Sequence, residues 1–184
     1  MPLKTFLGRM RSKTECAPRH SISWIVWSWI GAFLGILLVG LLNRLWSVSV
    51  TDHIFLIGSF GASAVLIYGT PHVPYAQPRN LVGGHLVSAL IGVAVYTWLP
   101  VMMELQAALA VSTAIFAMHL TRTLHPPGGA SALIAVIGSD QVHALGFEYV
   151  LRPVLGGVLV MLLVALLVNN LRDDEERHYP RCWF

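Results

Sequence analysis

Charged residues are scarce in this chain of 184 residues, and their scarcity excludes whole classes of protein. Asp, Glu, Lys and Arg together make up 11% of the sequence, while hydrophobic residues reach 55%. Globular proteins carry about a quarter charged residues. With a mean hydropathy of +0.67, a water-soluble fold with a charged surface is excluded. The apolar region from about Ile22 to Val168 instead predicts a polytopic membrane protein.

Acidic residues and cysteines are scarcer still. Outside the tails there are four acidic residues: Asp52, Glu104, Asp140 and Glu148. Paired-carboxylate catalysis therefore lacks candidates. The two cysteines, Cys16 and Cys182, lie in opposite tails without the spacing of metal ligands. No Gly-x-Ser-x-Gly elbow and no nucleophile–base pair with an acid partner is present. We therefore expect no enzyme, no cofactor and no metal.

Basic residues are concentrated outside the apolar region. Five of the twelve Lys and Arg precede it and three follow it. No basic stripe interleaved with aromatic residues lies between them, so we expect no nucleic-acid partner. If the amino terminus lies in the cytoplasm and the chain crosses six times, ten of the twelve Lys and Arg lie on the cytoplasmic side. If the short segments re-enter instead of crossing, eight of them lie on that side. The positive-inside rule favours six crossings, and both versions put the two termini in the cytoplasm.

The apolar region contains an internal repeat. Gly61-Ala62-Ser63-Ala64 recurs as Gly129-Ala130-Ser131-Ala132, and the Arg-x-x-x-Gly-Gly pattern of 79–84 recurs at 152–157. The apolar segments group as long, short, long, twice: about 22–42, 54–69 and 81–99, then 103–120, 127–137 and 150–168. Three crossings per copy would invert the second copy relative to the first.

We therefore predict an all-α polytopic membrane protein built from two inverted repeats of three segments each. The transmembrane domain covers 21–170, with repeat one at about 22–99 and repeat two at about 103–170. Each repeat contains one short broken or re-entrant helix. A basic cytoplasmic tail, 1–20, precedes the domain, and a cytoplasmic tail, 171–184, follows it; we expect 169–180 to be a solvated helix end.

The breaks in the short segments predict a transport site. His125, Pro126, Pro127 and Gly128 cannot continue a helix, although proline suits a first helical turn. A helix beginning near Pro127 would leave its first amides unpaired and its positive dipole end at membrane depth. The equivalent start in the first copy lies near Gly58. Two such ends pointing inward would bind an anion.

Candidate substrate-binding residues lie beside these breaks and at repeated positions. They are Arg79, Arg122, His125, Arg152, Ser63, Ser131, Gly61 and Gly129. An arginine near membrane depth is usually functional or paired, but the same residues could be interface anchors that extend towards water. The two serines could line a polar path or simply allow close helix packing.

Three histidines within or beside the apolar segments are candidates for a proton relay: His85, His119 and His125. Histidine titrates near neutral pH, which suits such a role. A structural histidine with satisfied hydrogen bonds is the alternative for His85 and His119. A three-histidine metal site is disfavoured because no Cys, Asp or Glu accompanies them.

Two segments carry a resemblance to a known family. Leu120-Thr-Arg-Thr-Leu-His-Pro-Pro-Gly-Gly-Ala130 resembles the signature of the HPP family of integral membrane proteins, and Ala76–His85 is similar to a second family segment. The closing Tyr179-Pro180 with Trp183 also resembles family tails. The resemblance implies four transmembrane helices, as the family is commonly described, and some plastid and cyanobacterial members are associated with nitrite transport.

Together these features predict a transporter in the inner (plasma) membrane of a bacterium, for a small inorganic anion with nitrite as the leading substrate. A chain of this size has little bulk for alternating access alone, so we expect a homo-oligomer in the lipid bilayer. The Gly83-Gly84 and Gly156-Gly157 pairs could be packing faces within or between protomers. The alternatives are a channel-like facilitator for a small neutral solute and a membrane assembly protein that transports nothing.

Overall fold

A computed structural model describes residues 5–6, 9–10, 18–46 and 50–184, with the side chains of 50–55 and 57 outside the description. Within these residues the chain is helical and contains no strand. From Ile22 onward we label the α-helices α1 (Ile22–Leu45), α2 (Val50–Ala64), α3 (Pro78–Trp98), α4 (Met103–Leu120), α5 (Pro126–Ile137), α6 (Asp140–Leu145) and α7 (Gly156–Asn170). A π-helical turn, Val65–Gly69, continues α2, a 3-10 turn, Pro74–Ala76, precedes α3, and a second π-helical turn, Val150–Leu155, leads into α7.

Among the described residues, four helical stretches are long and apolar enough to cross a membrane: α1, α3, α4 and Val150–Asn170, which is kinked at Arg152. In α3 and in Val150–Asn170, 44% of the most apolar window is buried, against 17% in α1 and 22% in α4. The first two therefore form the centre of the bundle, and α1 and α4 leave most of their surface outside it. With twelve residues, α5 rises only about 18 Å, so the count of six crossings stays a prediction.

Side-chain hydrogen bonds define one end of the bundle, called here the tail end. Trp24 Nε1, at the start of α1, donates to the Gly69 carbonyl at 3.0 Å. Asn80, at the start of α3, donates to the Leu124 carbonyl just before α5 at 2.8 Å. Asn169 joins the end of α7 to the π-helical turn after α2 at 2.8 Å. The six apolar segments thus alternate in direction, and both Arg79 and Arg122 lie at the tail end, as the six-pass interpretation expects.

The start of α5 is confirmed where proline predicts it. Pro126 and Pro127 occupy the first helical turn, and His125 precedes them in an extended conformation as the N-cap residue. The short helix ends at Ile137, before Gly138. Ser139 then caps α6 by accepting a hydrogen bond from the Gln141 amide at 3.2 Å.

The predicted break at Gly58 is wrong. The backbone is helical from Val50 to Ala64 and continues to Gly69, so Gly58 lies inside the helix. A glycine alone does not interrupt a helix in an apolar setting, because the backbone groups there have no water to bond and keep their intrahelical partners. The amino end of α2 therefore lies at the end of the bundle opposite to that of α5. The expectation that two helix amino ends meet is also wrong.

The expectation of a solvated segment at 169–180 is wrong for three of its residues, Asn169, Arg177 and Tyr179, which are buried. Arg177 and Tyr179 are 0% and 1% exposed and pack under the tail end of the bundle. Tyr179 donates its hydroxyl proton to the Ala76 carbonyl at 2.8 Å, and Gln77 Oε1 accepts from the Arg181 amide at 2.7 Å. The tail is held by the loop that precedes α3. The basic segment 1–20, including Cys16, lies mostly outside the described residues.

Candidate functional site

Five polar side chains form a cluster buried between α2, α3 and α5. Its members are Ser59, Ser63, His85, His125 and Ser131, and this set is called here the serine–histidine cluster. Each of these residues is at most 2% exposed. A buried polar group is costly unless it is hydrogen-bonded, so the bonds within the cluster decide whether the bundle tolerates it.

Ser63, from the first copy of the repeat, lies between the two histidines. Its Oγ is 2.8 Å from His85 Nε2 and 2.9 Å from His125 Nε2. The two imidazole rings have centroids 5.0 Å apart. One hydroxyl therefore connects the histidine of α3 to the histidine that precedes α5.

Ser131, the equivalent residue of the second copy, bonds the other side of His85. Its Oγ is 2.8 Å from His85 Nδ1 and 3.3 Å from Ser59 Oγ. Ser59 also reaches the Pro127 carbonyl at 3.1 Å. The Tyr149 hydroxyl donates to the Ser131 carbonyl at 3.0 Å and supports the serine from the side of the chain leading to α7. The repeated serines thus meet around one imidazole.

A backbone carbonyl fixes the orientation of His125. His125 Nδ1 is 2.8 Å from the Tyr75 carbonyl in the 3-10 turn. A carbonyl oxygen can only accept, so Nδ1 carries a proton and the opposite nitrogen faces Ser63. Because this turn also holds the Ala76 carbonyl bonded by Tyr179, the tail and the cluster are joined through two adjacent residues.

Glycines of α3 let the cluster close. A Cβ on Gly84 would lie 2.5 Å from His125 Cβ and 2.7 Å from the Thr123 carbonyl oxygen, and a Cβ on Gly83 would overlap the Thr123 side chain. On the other side, a Cβ on Gly128 would lie 2.8 Å from the Gly84 carbonyl oxygen. The Gly83-Gly84 pair therefore allows close packing within the protomer, one of the two roles predicted for it. Gly156 and Gly157 likewise face Trp46 and Phe60.

The first three residues of α5 offer no free amide for an anion. Pro126 and Pro127 have no N–H, and the Gly128 amide donates to the His125 carbonyl at 2.8 Å. The expectation of unpaired first amides is therefore wrong, because the same prolines that place the helix start also remove its donors. The donors that face the interior here are side chains of the serine–histidine cluster.

The three candidate arginines do not converge on this cluster. Arg79 is partly buried at the tail end, and its Nε is a buried atom with no hydrogen-bond partner. Arg122 is exposed and adopts a left-handed φ of 56° just after α4. Arg152 is exposed and forms an ion pair with Glu148. Arg152 precedes the start of α7 and so belongs to the end opposite to the other two.

Other predicted site residues lie outside the cluster. His119 is exposed on α4, away from His85 and His125. Gly61 is partly exposed, and a Cβ there would meet nothing within 4 Å, while the nearest atom to a Cβ on Gly129 would be 3.8 Å away. Neither glycine is required by the packing.

One premise about chemistry needs correction. The sequence offered no nucleophile–base pair, but the fold brings Ser63 within hydrogen-bond distance of two imidazoles. No carboxylate bonds either ring among the described residues; the Tyr75 carbonyl takes that place for His125. The described part of the chain also has no group of three His, Cys, Asp or Glu placed to hold a metal ion.

Sequence reasoning missed a second buried polar group, Arg177. Its guanidinium donates to the Tyr68 carbonyl at 3.0 Å and to Asn169 Oδ1 at 2.8 Å, and it lies 4.7 Å from the centre of the Trp24 ring. It also bonds Ser28 at 3.1 Å. The charged run that surrounds it suggested a solvated segment, and only the closing aromatic residues gave a signal of burial. Arg177 ties α1, the π-helical turn and α7 together.

A helical membrane bundle with a buried serine–histidine cluster is the class that these observations define. The family model for the HPP transmembrane region matches residues 17–180. The chain therefore belongs to the HPP family, as its two motifs suggested.

Two transmembrane proteins of Dictyostelium discoideum are similar to this chain. One is 49% identical over 171 residues, covering 90% of this chain and 53% of the relative. The other is 43% identical over 186 residues, covering 98% of this chain and 62% of the relative. The chain thus spans between half and two thirds of the length of these curated relatives. No solved structure gives a significant match.

Proposed function

We propose that this protein transports a small inorganic anion, with nitrite the leading substrate, and that the serine–histidine cluster is the place where the anion is bound. The carrying observation is the meeting of Ser63 and Ser131 around His85, between the two short helices. Family membership and an all-helical membrane fold support a transport role. Nitrite rests on the association of some family members with that anion.

The chemistry of the cluster suits a small anion. Hydroxyl and imidazole N–H groups are hydrogen-bond donors, and a protonated His125 would add the positive charge that a dehydrated anion needs. At rest these donors bond one another. An arriving anion therefore exchanges bonds within the cluster for bonds to itself, which limits the cost of removing it from water.

The test is uptake into proteoliposomes that contain the purified protein. Nitrite is followed, with formate, nitrate, chloride and urea as comparisons and protein-free liposomes as the baseline. We expect saturable nitrite uptake that is lost in Ser131→Ala and kept in Ser112→Ala, a matched change at an exposed serine of α4. Uptake unchanged in Ser131→Ala would contradict the assignment of the site, and no uptake of any anion would contradict the function.

A second candidate is a facilitator for a small neutral solute. It is favoured by one observation: the bonds of the serine–histidine cluster in the described residues involve no Asp, Glu, Lys or Arg. A site without fixed charge suits a neutral molecule. Urea uptake that exceeds nitrite uptake in the same vesicles, and that does not depend on membrane potential, would favour this candidate. A protein that only assists membrane assembly would transport neither.

Three further features belong to this proposal. We propose that the two halves form an inverted repeat, since α2 and α5 run in opposite directions and bring the same serine to one place. We also propose a homo-oligomer, because α1 and α4 leave most of their apolar surface outside the bundle. The third is a bacterial plasma membrane with both termini in the cytoplasm; the matched relatives come from Dictyostelium.

A further inference from the structure

The hydrogen positions in the serine–histidine cluster follow from one anchor. His125 Nδ1 must donate to the Tyr75 carbonyl, so the Nε2 of a neutral His125 accepts, and only Ser63 can donate to it. A serine hydroxyl has a single proton. Ser63 must then accept from His85 Nε2, which leaves His85 Nδ1 as an acceptor.

The same reasoning continues to the other end of the cluster. His85 Nδ1 takes the proton of the Ser131 hydroxyl, and Ser131 Oγ accepts from Ser59. The neutral cluster therefore has one arrangement that makes every bond among its five side chains, and in it the three serines and His85 all donate towards His125. In this arrangement the Ser59 hydroxyl donates to Ser131, so it cannot also donate to the Pro127 carbonyl, 3.1 Å away.

With one added proton, the same atoms support a second complete arrangement. His125 Nε2 then donates to Ser63, Ser63 donates to His85 Nε2, and His85 Nδ1 donates to Ser131. Each bond keeps its partners and reverses its direction.

The reversal ends at the other terminus of the cluster. Ser131 donates to Ser59, and Ser59 donates to the Pro127 carbonyl, which now receives the bond that the neutral arrangement withheld. The carbonyls of Tyr75 and Pro127 thus terminate the two ends of one continuous chain of hydrogen bonds.

We propose that the serine–histidine cluster binds a single proton, taken up at Ser59 and held on His125, and that all the hydrogen bonds between them reverse when it does so. This inference deepens the proposed function and rests on it, since it names the ion that accompanies the anion. The proton comes from hydronium or from the protonated form of the substrate, which leaves water or the anion behind.

The transfer balances atom by atom. The incoming proton forms a new O–H on Ser59, whose former proton passes to Ser131. The Ser131 proton passes to His85 Nδ1, the His85 Nε2 proton passes to Ser63, and the Ser63 proton passes to His125 Nε2. His85 ends neutral with its proton on the opposite nitrogen, and His125 ends as the imidazolium.

The surroundings of the cluster limit it to one proton. Among the residues whose side chains the structure describes, the titratable groups bonded within or against the cluster are the two imidazoles and the Tyr149 hydroxyl, which reaches the Ser131 carbonyl. The Phe60 ring packs against His85 at a centroid distance of 5.6 Å. A second proton would place two cations with ring centroids 5.0 Å apart without a bonded carboxylate, which a low-dielectric interior opposes strongly.

Nitrogen-15 NMR of histidine-labelled protein in lipid bilayers, without any substrate, tests this proposal directly. In the alkaline state we expect His125 as the Nδ1–H tautomer and His85 as the Nε2–H tautomer. On acidification His125 should gain its second N–H, while His85 stays neutral and changes to the Nδ1–H tautomer over the same pH range.

A matched pair of variants isolates the relay. Ser63→Ala removes the hydroxyl between the rings, so the tautomer of His85 should no longer follow the protonation of His125, whereas Ser112→Ala should behave as the wild type. Protonation of His125 without a tautomer change at His85 in the wild type would overturn the reversal. Ser63 would then donate instead to the Ser59 carbonyl, 3.4 Å away. If neither histidine takes up a proton on acidification while the fold persists, the binding of a proton is overturned.

These outcomes are distinct from the fate of the proposed function. The NMR measurement needs no transport, so a relay without nitrite uptake would remove the function and leave the proton site. Nitrite uptake by a protein whose His85 tautomer does not change with pH would support the function and remove the relay.

Discussion

The two short helices carry the same four residues, Gly-Ala-Ser-Ala, and differ in almost everything around them. In the first copy the sequence lies at the carboxyl end of α2, which passes through Gly58 without a break. In the second copy it follows two prolines at the very start of α5. Yet Ser63 and Ser131 both bond His85, one on each ring nitrogen.

The comparison separates what the two repeated segments share from what they do not. The buried serines kept one role, because both supply a hydroxyl to the same imidazole. The arginines of the two copies diverged: Arg79 is partly buried at the tail end, and Arg152 is exposed and paired with Glu148 at the other. The loop of the first copy is also covered by the tail through Tyr179. The repeated sequence therefore predicts the position of the two serines better than it predicts the positions of the two arginines.

The largest expected effect separates the glycines of α3 from those of the short helices. Gly84→Ala puts a Cβ 2.7 Å from the Thr123 carbonyl oxygen and 2.5 Å from His125 Cβ. Because backbone atoms cannot move away easily, we expect the free energy of unfolding to fall by at least about 1–3 kcal/mol and little protein to fold. Gly61→Ala meets nothing within 4 Å and should fold normally. Thermal unfolding in detergent measures both, and equal stability of the two variants would contradict the packing.

The next effect concerns the serine pair itself. Ser63→Ala leaves one nitrogen of each buried imidazole without its partner, and Ser131→Ala leaves His85 Nδ1 without its partner, which costs about 1–3 kcal/mol for each nitrogen. We expect both variants to lose nitrite uptake to a similar extent. The double variant should lose less stability than the sum of the two, because both changes interrupt one chain of hydrogen bonds. Strictly additive losses would show that the serines act independently.

Part of this arrangement follows from the sequence for physical reasons. Proline has no N–H and a fixed φ, so Pro126 and Pro127 mark the start of α5. Long apolar segments require helices in a bilayer, and the repeat identifies Ser63 and Ser131 as equivalent. Because the repeat contains no histidine, nothing in it predicts that His85 lies between the two serines.

Other features depend on long-range packing that a local pattern does not carry. Gly58 resembles a break, but a helix in lipid keeps its backbone bonds through a glycine. Arg177 stands in a charged run that is typical of solvated chain, and it is buried because Tyr68 and Asn169 happen to supply acceptors from distant helices. The hydrogen-bond partners of a buried charge cannot be predicted from the residues next to it in the sequence.

A smaller effect should separate the arginines of the two copies. Arg79→Gln removes a cation from the partly buried tail end, and we expect nitrite uptake to fall by about fivefold at low salt, equivalent to about 1 kcal/mol. Arg152→Gln removes an exposed cation that Glu148 already neutralises, so uptake should change by less than about twofold. Uptake assays at two ionic strengths check both. An equal loss in the two variants would mean that the copies contribute symmetrically after all.

The last comparison concerns the tail, which packs against the loop of the first copy. Burial, with a contribution from Cys182, raises the pKa of the Tyr179 hydroxyl above its ordinary value. The folded state therefore keeps the proton when the unfolded chain begins to lose it near about pH 10. Below that pH the contribution of Tyr179 is fully present. As the pH rises above it, ionisation of the unfolded chain lowers stability by about 1.4 kcal/mol per pH unit.

Tyr179→Phe cannot ionise, so it should lose less of its melting temperature between about pH 9 and 11 than the wild type does. At neutral pH the variant should be less stable by about 1 kcal/mol, because the Ala76 carbonyl loses its donor. Melting curves of the wild type and of Tyr179→Phe at the two pH values test this expectation. If wild type and variant fall in parallel, the tail does not hold Tyr179 in the folded protein. The Tyr75 carbonyl that anchors His125 would then be positioned by the first copy alone.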